Sequence, residues 1–149
     1  MSKFSPLSNF DIDEHLNKFD YYNGTFSKNN LPAKIGTKEM GIINLDDFGN
    51  PGTHWVAYFN APGHKYVYYF DSFGLPPPEE VKRYLKTSHK QIQMNTGEIQ
   101  QIDSIMCGYY CVYVLEQLDK GSSFYDAIYS FDPYPSEYNE TKIKSVQNI

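Results

Sequence analysis

Apolar residues fall at Cys107, Tyr110, Cys111, Val114, Leu115 and Leu118, at offsets of 0, 3, 4, 7, 8 and 11. That spacing is one face of a helix. The polar run Gln101 to Ser104 precedes it, and Asp103 or Ser104 can cap its start. A cysteine is therefore expected in the first turn of a buried helix. A second helical spacing, Ile12, Leu16 and Phe19, predicts a short amphipathic helix over residues 11–19. There Asp11 to Glu14 has capping-box form, with Asp11 as cap. Pro77 or Pro78 can open a third helix over Glu79 to Leu85, with Val81, Tyr84 and Leu85 inward. Phe124, Ala127, Ile128 and Phe131 give a fourth, over Ser122 to Phe131.

The remaining apolar runs read as strands. Met40 to Leu45 predicts a buried strand, followed by a turn cluster from Asp46 to Gly52. Thr53 to Asn60 alternates around Trp55, Val56, Tyr58 and Phe59, and Lys65 to Phe70 is rich in strand formers. Between them lies Asn60-Ala61-Pro62-Gly63-His64, so Thr53 to Asp71 predicts an antiparallel hairpin. Pro62-Gly63 suits a type II turn, which implies a loop wider than two residues. Ile92 to Met94 is a further short strand. Tyr21 to Pro32 is polar, contains Gly24, Asn29 and Asn30, and reads as loop. Asp132 to Ile149 is sparse in apolar residues and reads as a tail, mobile or a peripheral cover. Helix, strands, then helices predict an α+β domain with a mostly antiparallel sheet.

Composition narrows this picture. A chain of 149 residues is expected to be one domain, able to bury a core without staples. With 14 Tyr and 10 Phe, large rings are expected to lead the packing. The net charge of −5 and the lack of a long basic run argue against nonspecific nucleic-acid binding. Two cysteines make no disulfide framework, so a reducing compartment is expected. No signal peptide or membrane-spanning apolar run is seen, and a soluble protein is expected.

The candidate chemistry centres on Cys107. Amide hydrogens and the positive dipole end at a helix start favour a thiolate, and Gly108 leaves room for a close approach. If the hairpin is symmetric about the Pro62–Gly63 bond, residue i pairs with 125 − i, and His54 lies opposite Asp71. Directly opposed side chains share a face at a separation that suits an imidazole–carboxylate hydrogen bond. A histidine oriented by a carboxylate is what a cysteine nucleophile requires. The oxyanion then needs donors: the Cys107 amide hydrogen, and a side-chain amide from Gln100 or Gln101, seven and six residues upstream. Each residue alone has a plainer explanation. A cysteine at a helix start is more often a buried hydrophobe, His54 can be a strand residue, and glutamines are common in loops. Together, in the order His, Asp, Gln, Cys, they favour catalysis. His15, His64 and His89 read as structural. Cys107, Cys111 and a histidine make a poor zinc site without a second cysteine pair, so no metal is expected. No phosphate-binding or dinucleotide motif appears, and no cofactor is expected.

At His54-Trp55, Asp71, Gln101 and Cys107-Gly108 the sequence resembles the adenovirus-type cysteine endopeptidases (adenain), and more broadly the clan that includes the SUMO proteases. Tyr22 to Phe26, Ile42-Ile43-Asn44 and Phe70 to Gly74 look adenain-like too, so the likeness covers roughly residues 8 to 130. The run Asp71 to Pro78 looks most like the compact proteases of Polinton/Maverick elements and virophages. The resemblance implies a papain-like or adenain-like fold, with Cys107 as nucleophile, His54 as base and acid, and Asp71 as its orienter. Gln101 would serve the oxyanion in preference to Gln100. Trp55 would wall a narrow channel that accepts small residues, with Gly108 keeping the backbone open near the sulfur. The implied function is a cysteine endopeptidase that cuts capsid or other virion precursors at Gly-containing sites, in the virion or the host cytoplasm or nucleus. An isopeptidase for a ubiquitin-like modifier is the alternative, and a non-catalytic module on the same fold a second one. Adenain has Glu where Asp71 stands, and is activated by DNA and by a disulfide-linked peptide. Neither cysteine here matches the one that takes the peptide, and the chain is acidic. Activation by peptide or DNA is therefore not expected, and a monomer is.

Overall fold

The computed structural model describes residues 4–46 and 54–146. Five strands form one sheet whose order follows the chain: β1 Tyr22–Ser27, β2 Glu39–Asn44, β3 Trp55–Asn60, β4 Tyr66–Phe70 and β5 Gln91–Met94. The inner pairs β2–β3 and β3–β4 are antiparallel and the outer pairs β1–β2 and β4–β5 parallel, so the sheet is half rather than mostly antiparallel. The helices are α1 Asn9–Leu16, α2 Glu79–Lys86, α3 Cys107–Asp119, α4 Phe124–Tyr129 and α5 Glu137–Ser145. The α+β class holds.

Strand alternation divides the core in two. Ile42, Trp55, Ala57, Phe59 and Phe70 pack with α1, α3, α4 and α5 on one side. Ile43, Val56, Tyr58, Val67 and Tyr69 pack with Val81, Tyr84 and Leu85 of α2 on the other. Full burial of each large apolar side chain contributes about 1.5–3 kcal/mol. On the α2 side the buried Glu39 carboxylate is held by three donors: the Tyr58 and Tyr84 hydroxyls and the Gly36 amide. This network ties β2, β3 and α2 together through polar groups, a contribution that apolar patterning does not reveal.

The hairpin turn has the expected chemistry but a different register. The His64 amide bonds the Ala61 carbonyl at 3.3 Å and Gly63 has φ +82°, as a type II turn over Pro62-Gly63 requires. The ladder, however, pairs Ala57 with Phe70, Tyr58 with Tyr69 and Phe59 with Tyr68, so residue i faces 127 − i. The β4 side of the loop is longer than the β3 side. A slip of two residues preserves which face each side chain takes. His54 and Asp71 become diagonal rather than direct neighbours. Thr53 and the turn cluster from residue 47 onward lie outside the described residues.

Other boundaries moved for identifiable reasons. The capping box of α1 is Ser8–Asp11, not Asp11–Glu14: Ser8 Oγ accepts the Asp11 amide, and Asp11 Oδ2 accepts the Ser8 amide. The helix thus starts earlier and ends at Leu16, still burying Ile12 and Leu16. Part of the expected loop 21–32 is β1, an edge strand whose register shifts between Tyr22 and Gly24, so the glycine marks an irregularity within a strand rather than a loop. Helix α4 is shorter than expected, with Ser123 as its cap. Within the expected tail, α5 is a packed cover. Ile143 and Asn139 are fully buried, and the Tyr110 hydroxyl donates to Glu140 Oε2 at 2.6 Å. Its burial of polar groups kept it from showing as an apolar pattern.

Candidate active site

Cys107 is the first residue of α3, and nine of the helix's 13 residues are buried. Neither Asp103 nor Ser104 caps it. Met106 holds the cap position without a side-chain bond, and Ser104 Oγ accepts the Met106 amide instead. Asp103 and Ser104 belong to a turn, closed by the Ser104 amide on the Gln101 carbonyl at 2.9 Å. The amide hydrogens of Cys107 and Gly108 have no acceptor among the described residues, and the first turn holds no acidic side chain. The positive end of the helix is left without an acidic partner at the sulfur.

His54 lies just before β3 and Asp71 just after β4. The structure brings them together: His54 Nε2 donates to Asp71 Oδ1 at 2.6 Å. Asp71 is buried, and its Oδ1 also accepts the Phe73 amide at 2.9 Å, a local turn typical of aspartate. The His54 ring stacks on Phe73, with centroids 4.8 Å apart. Its other nitrogen, Nδ1, is buried with no hydrogen-bond partner among the described residues, leaving it for the Cys107 thiol, with which the ring interacts. Burial works against a charged imidazole. The hydrogen bond to Asp71 and the interaction with Cys107 outweigh it and raise the His54 pKa to about 9. The imidazolium is thus the neutral-pH form of His54. Because the folded value lies above the ordinary 6.5, this group stabilises the fold fully below that pH, and the contribution is lost as pH rises through about 9.

The two glutamines separate clearly. Gln100 is buried, its Oε1 accepts from Ser72 Oγ, and its Nε2 donates to the Ser104 carbonyl at 2.9 Å. Its amide is committed. Gln101 is half-buried and lines an open cleft with Glu98, Ile102, Asp103 and Pro135. Its side-chain amide has no hydrogen-bond partner among the described residues. Trp55 is buried, and its Nε1 donates to the Leu7 carbonyl at 3.0 Å. A Cβ on Gly108 would stand 3.2 Å from Leu7 Cβ and 3.3 Å from Trp55 Cδ1. The space beside Gly108 is therefore bounded by side chains, where a passing backbone was expected. Cys111, one turn deeper, is fully buried and donates its thiol to the Trp55 carbonyl, and burial pushes its pKa well up.

Two contributors were not foreseen. Asn95 bonds both backbone groups of Asp71, accepting its amide at 3.1 Å and donating to its carbonyl at 2.7 Å. Leu7 fixes the Trp55 indole. An asparagine just after a strand is a weak signal for Asn95, and the sequence carries none for Leu7. The other histidines are structural: His15 bonds Glu116 at 3.1 Å and His64 bonds Tyr68 at 3.1 Å, while His89 is exposed just beyond α2. His15 is partly buried rather than on the surface. Among the described residues no group of three potential metal ligands occurs, and no helix is long and apolar enough to cross a membrane.

No protein-family model matches the chain. It is 31% identical over 87 residues to an Acanthamoeba polyphaga mimivirus protein named as a putative thiol protease. That match covers 52% of this chain and 29% of the mimivirus protein's length. Two crystal structures of the ASFV pS273R protease, one of them with selenomethionine, superpose with TM-scores of 0.69 and 0.63 at 18% identity. Both cover 97% of this chain, and 68% and 69% of the ASFV chain. The chain has the fold of that protease.

Proposed function

We propose that the chain is a cysteine endopeptidase that processes structural precursor proteins of a virus or a related mobile element at Gly-containing sites. The observation that carries the reading is the 2.6 Å bond from His54 Nε2 to buried Asp71, with the same ring interacting with a cysteine at a helix start. The Cys107 thiolate attacks the scissile carbonyl carbon. A carbon–sulfur bond forms, and the carbonyl electron pair moves to oxygen. The Cys107 amide hydrogen and the Gln101 side chain receive that oxyanion. His54 passes its proton to the amide nitrogen as the carbon–nitrogen bond breaks, leaving a thioester. Water, deprotonated by His54, then hydrolyses the thioester and restores the thiolate.

The preference for glycine is supported by crowding. Trp55, pinned by Leu7, and the Leu7 side chain stand against Gly108 beside the nucleophile. Such crowding beside the sulfur would favour small substrate residues. The mimivirus relative and the ASFV protease support a viral or virus-derived setting. The test is incubation with a capsid precursor from the virus or element that carries this chain, and in parallel with SUMO and ubiquitin conjugates. Precursor cleavage that is lost in Cys107→Ala supports the reading. Deconjugation without precursor cleavage replaces it with an isopeptidase.

A further inference from the structure

Asn139 lies in α5, 32 residues beyond the nucleophile, and is fully buried. Its Oδ1 accepts the Asp132 amide at 2.7 Å. Its Nδ2 donates to the carbonyls of Asp132 at 3.1 Å, Tyr134 at 3.0 Å and Ile99 at 3.1 Å. The last of these reaches the loop that leads to Cys107. The peptide unit joining Ile99 to Gln100 is bonded at both of its polar atoms. Its carbonyl takes Asn139, and its amide hydrogen goes to the Ser72 carbonyl at 3.1 Å, beside Asp71. The Ile99 amide bonds the same Ser72 carbonyl at 2.8 Å. This plane therefore cannot turn about the chain axis without breaking buried bonds, and the next residue is Gln101.

We propose that Asn139 is a positioning residue for the oxyanion donor: it fixes the Ile99–Gln100 peptide plane and so aims the side chain of Gln101. The proposal rests on the reading of Gln101 as that donor. Helix α5 is then a working part of the site rather than a cover. Asn139 touches neither substrate nor sulfur, so its loss should leave the thiolate–imidazolium pair intact while spoiling transition-state stabilisation. Misplacement of a catalytic group by about 1 Å costs up to about a hundredfold in rate.

The experiment compares the full chain with Asn139→Ala, Asn139→Asp, Gln101→Ala and the Gln101→Ala/Asn139→Ala double variant. Two rates are read: alkylation of Cys107 by iodoacetamide, and turnover of a fluorogenic peptide amide with glycine before the leaving group. Turnover is expressed per alkylatable Cys107, so partial unfolding of a variant does not count. Both Asn139 variants should alkylate within about twofold of the unaltered chain. Both should lose about ten- to a hundredfold in kcat with KM little changed. In the Gln101→Ala background, Asn139→Ala should cost nothing more. Undiminished kcat per reactive cysteine in the Asn139 variants, or an equal further loss in the double variant, overturns the proposal and leaves Gln101 as donor. If Gln101→Ala alone keeps full kcat, the oxyanion reading fails and takes this proposal with it. No turnover by the unaltered chain overturns the protease reading itself.

Discussion

The β3–β4 hairpin and the segment from Asn95 to Met106 both deliver parts of one site, and they do so by opposite means. The hairpin is a ladder, with Val56, Ala57, Tyr58, Val67, Tyr69 and Phe70 all almost fully buried. Repeated backbone bonds and apolar burial fix it, and His54 and Asp71 project from its open end. The segment has no ladder beyond Met94. It is held by side-chain bonds from Asn95, Gln100, Ser104 and Asn139, and by the Ile99 and Gln100 amides on the Ser72 carbonyl. The hairpin carries the His54–Asp71 pair, and the segment carries Gln101, the proposed oxyanion donor. A slip of two residues in the ladder left the His54–Asp71 pair intact, because a period of two tolerates even shifts.

Substitutions can break this division of labour. Cys107→Ala should reduce turnover of the glycine peptide amide to background, the largest effect. His54→Ala should cost about 10²–10⁴ in turnover, and it should also remove the fast alkylation of Cys107 relative to Cys111 at pH 6.5. An unchanged alkylation rate there would dismiss the ion pair. Gln101→Ala should cost about 10²–10³ in kcat while leaving alkylation as it was. Parallel losses in both rates would mean that the two regions are not separable.

Asp71→Asn tests the hairpin from the other side. His54 holds its proton up to about pH 9, so kcat/KM for the amide should decline as pH rises through that value. In Asp71→Asn the carboxylate no longer opposes burial, and this alkaline limb should move down toward the ordinary histidine value of about 6.5. A limb that stays near 9 would show that Asp71 does not set the charge. The smallest effects concern stability. Val67→Ala should cost about 1–3 kcal/mol in a denaturant melt. Ile102→Ala, in the segment and 87% exposed, should change it by no more than about 0.5 kcal/mol. Comparable losses would erase the contrast between ladder and single bonds.

What was legible in the sequence follows the same contrast. Periodicity reports apolar burial, so the helix from Cys107, the hairpin and the inward face of α2 were visible. The type II turn was visible because Pro62-Gly63 has few other uses. The exact pairing was not, since the residues flanking a turn do not announce which side is longer. The carboxylate partner of His54 was nevertheless found, because Asp71 kept its face. Structure built from polar bonds was hidden. Glu39, Asn95, Gln100 and Asn139 are all buried, and nothing in their spacing marks them as such. The same blindness moved the cap of α1, where Ser8 and Asp11 were equally able to serve, and turned α5 into an apparent tail. The resemblance put Gln101 ahead of Gln100, and the structure adds that the Gln100 amide is already committed.

The position of Cys111 has a consequence for redox chemistry. A reactive cysteine such as that proposed at Cys107 is open to oxidation to a sulfenic acid, and repair usually needs a nearby thiol to form a disulfide. Cys111 is the chain's other cysteine, yet it is fully buried, its thiol is engaged with the Trp55 carbonyl, and its pKa is driven upward. Spacing of one helical turn also suits a disulfide poorly. An oxidised Cys107 thus has no resolving partner within its own chain. Its recovery depends on a small thiol from solution, and without one oxidation runs on to the irreversible sulfinic acid.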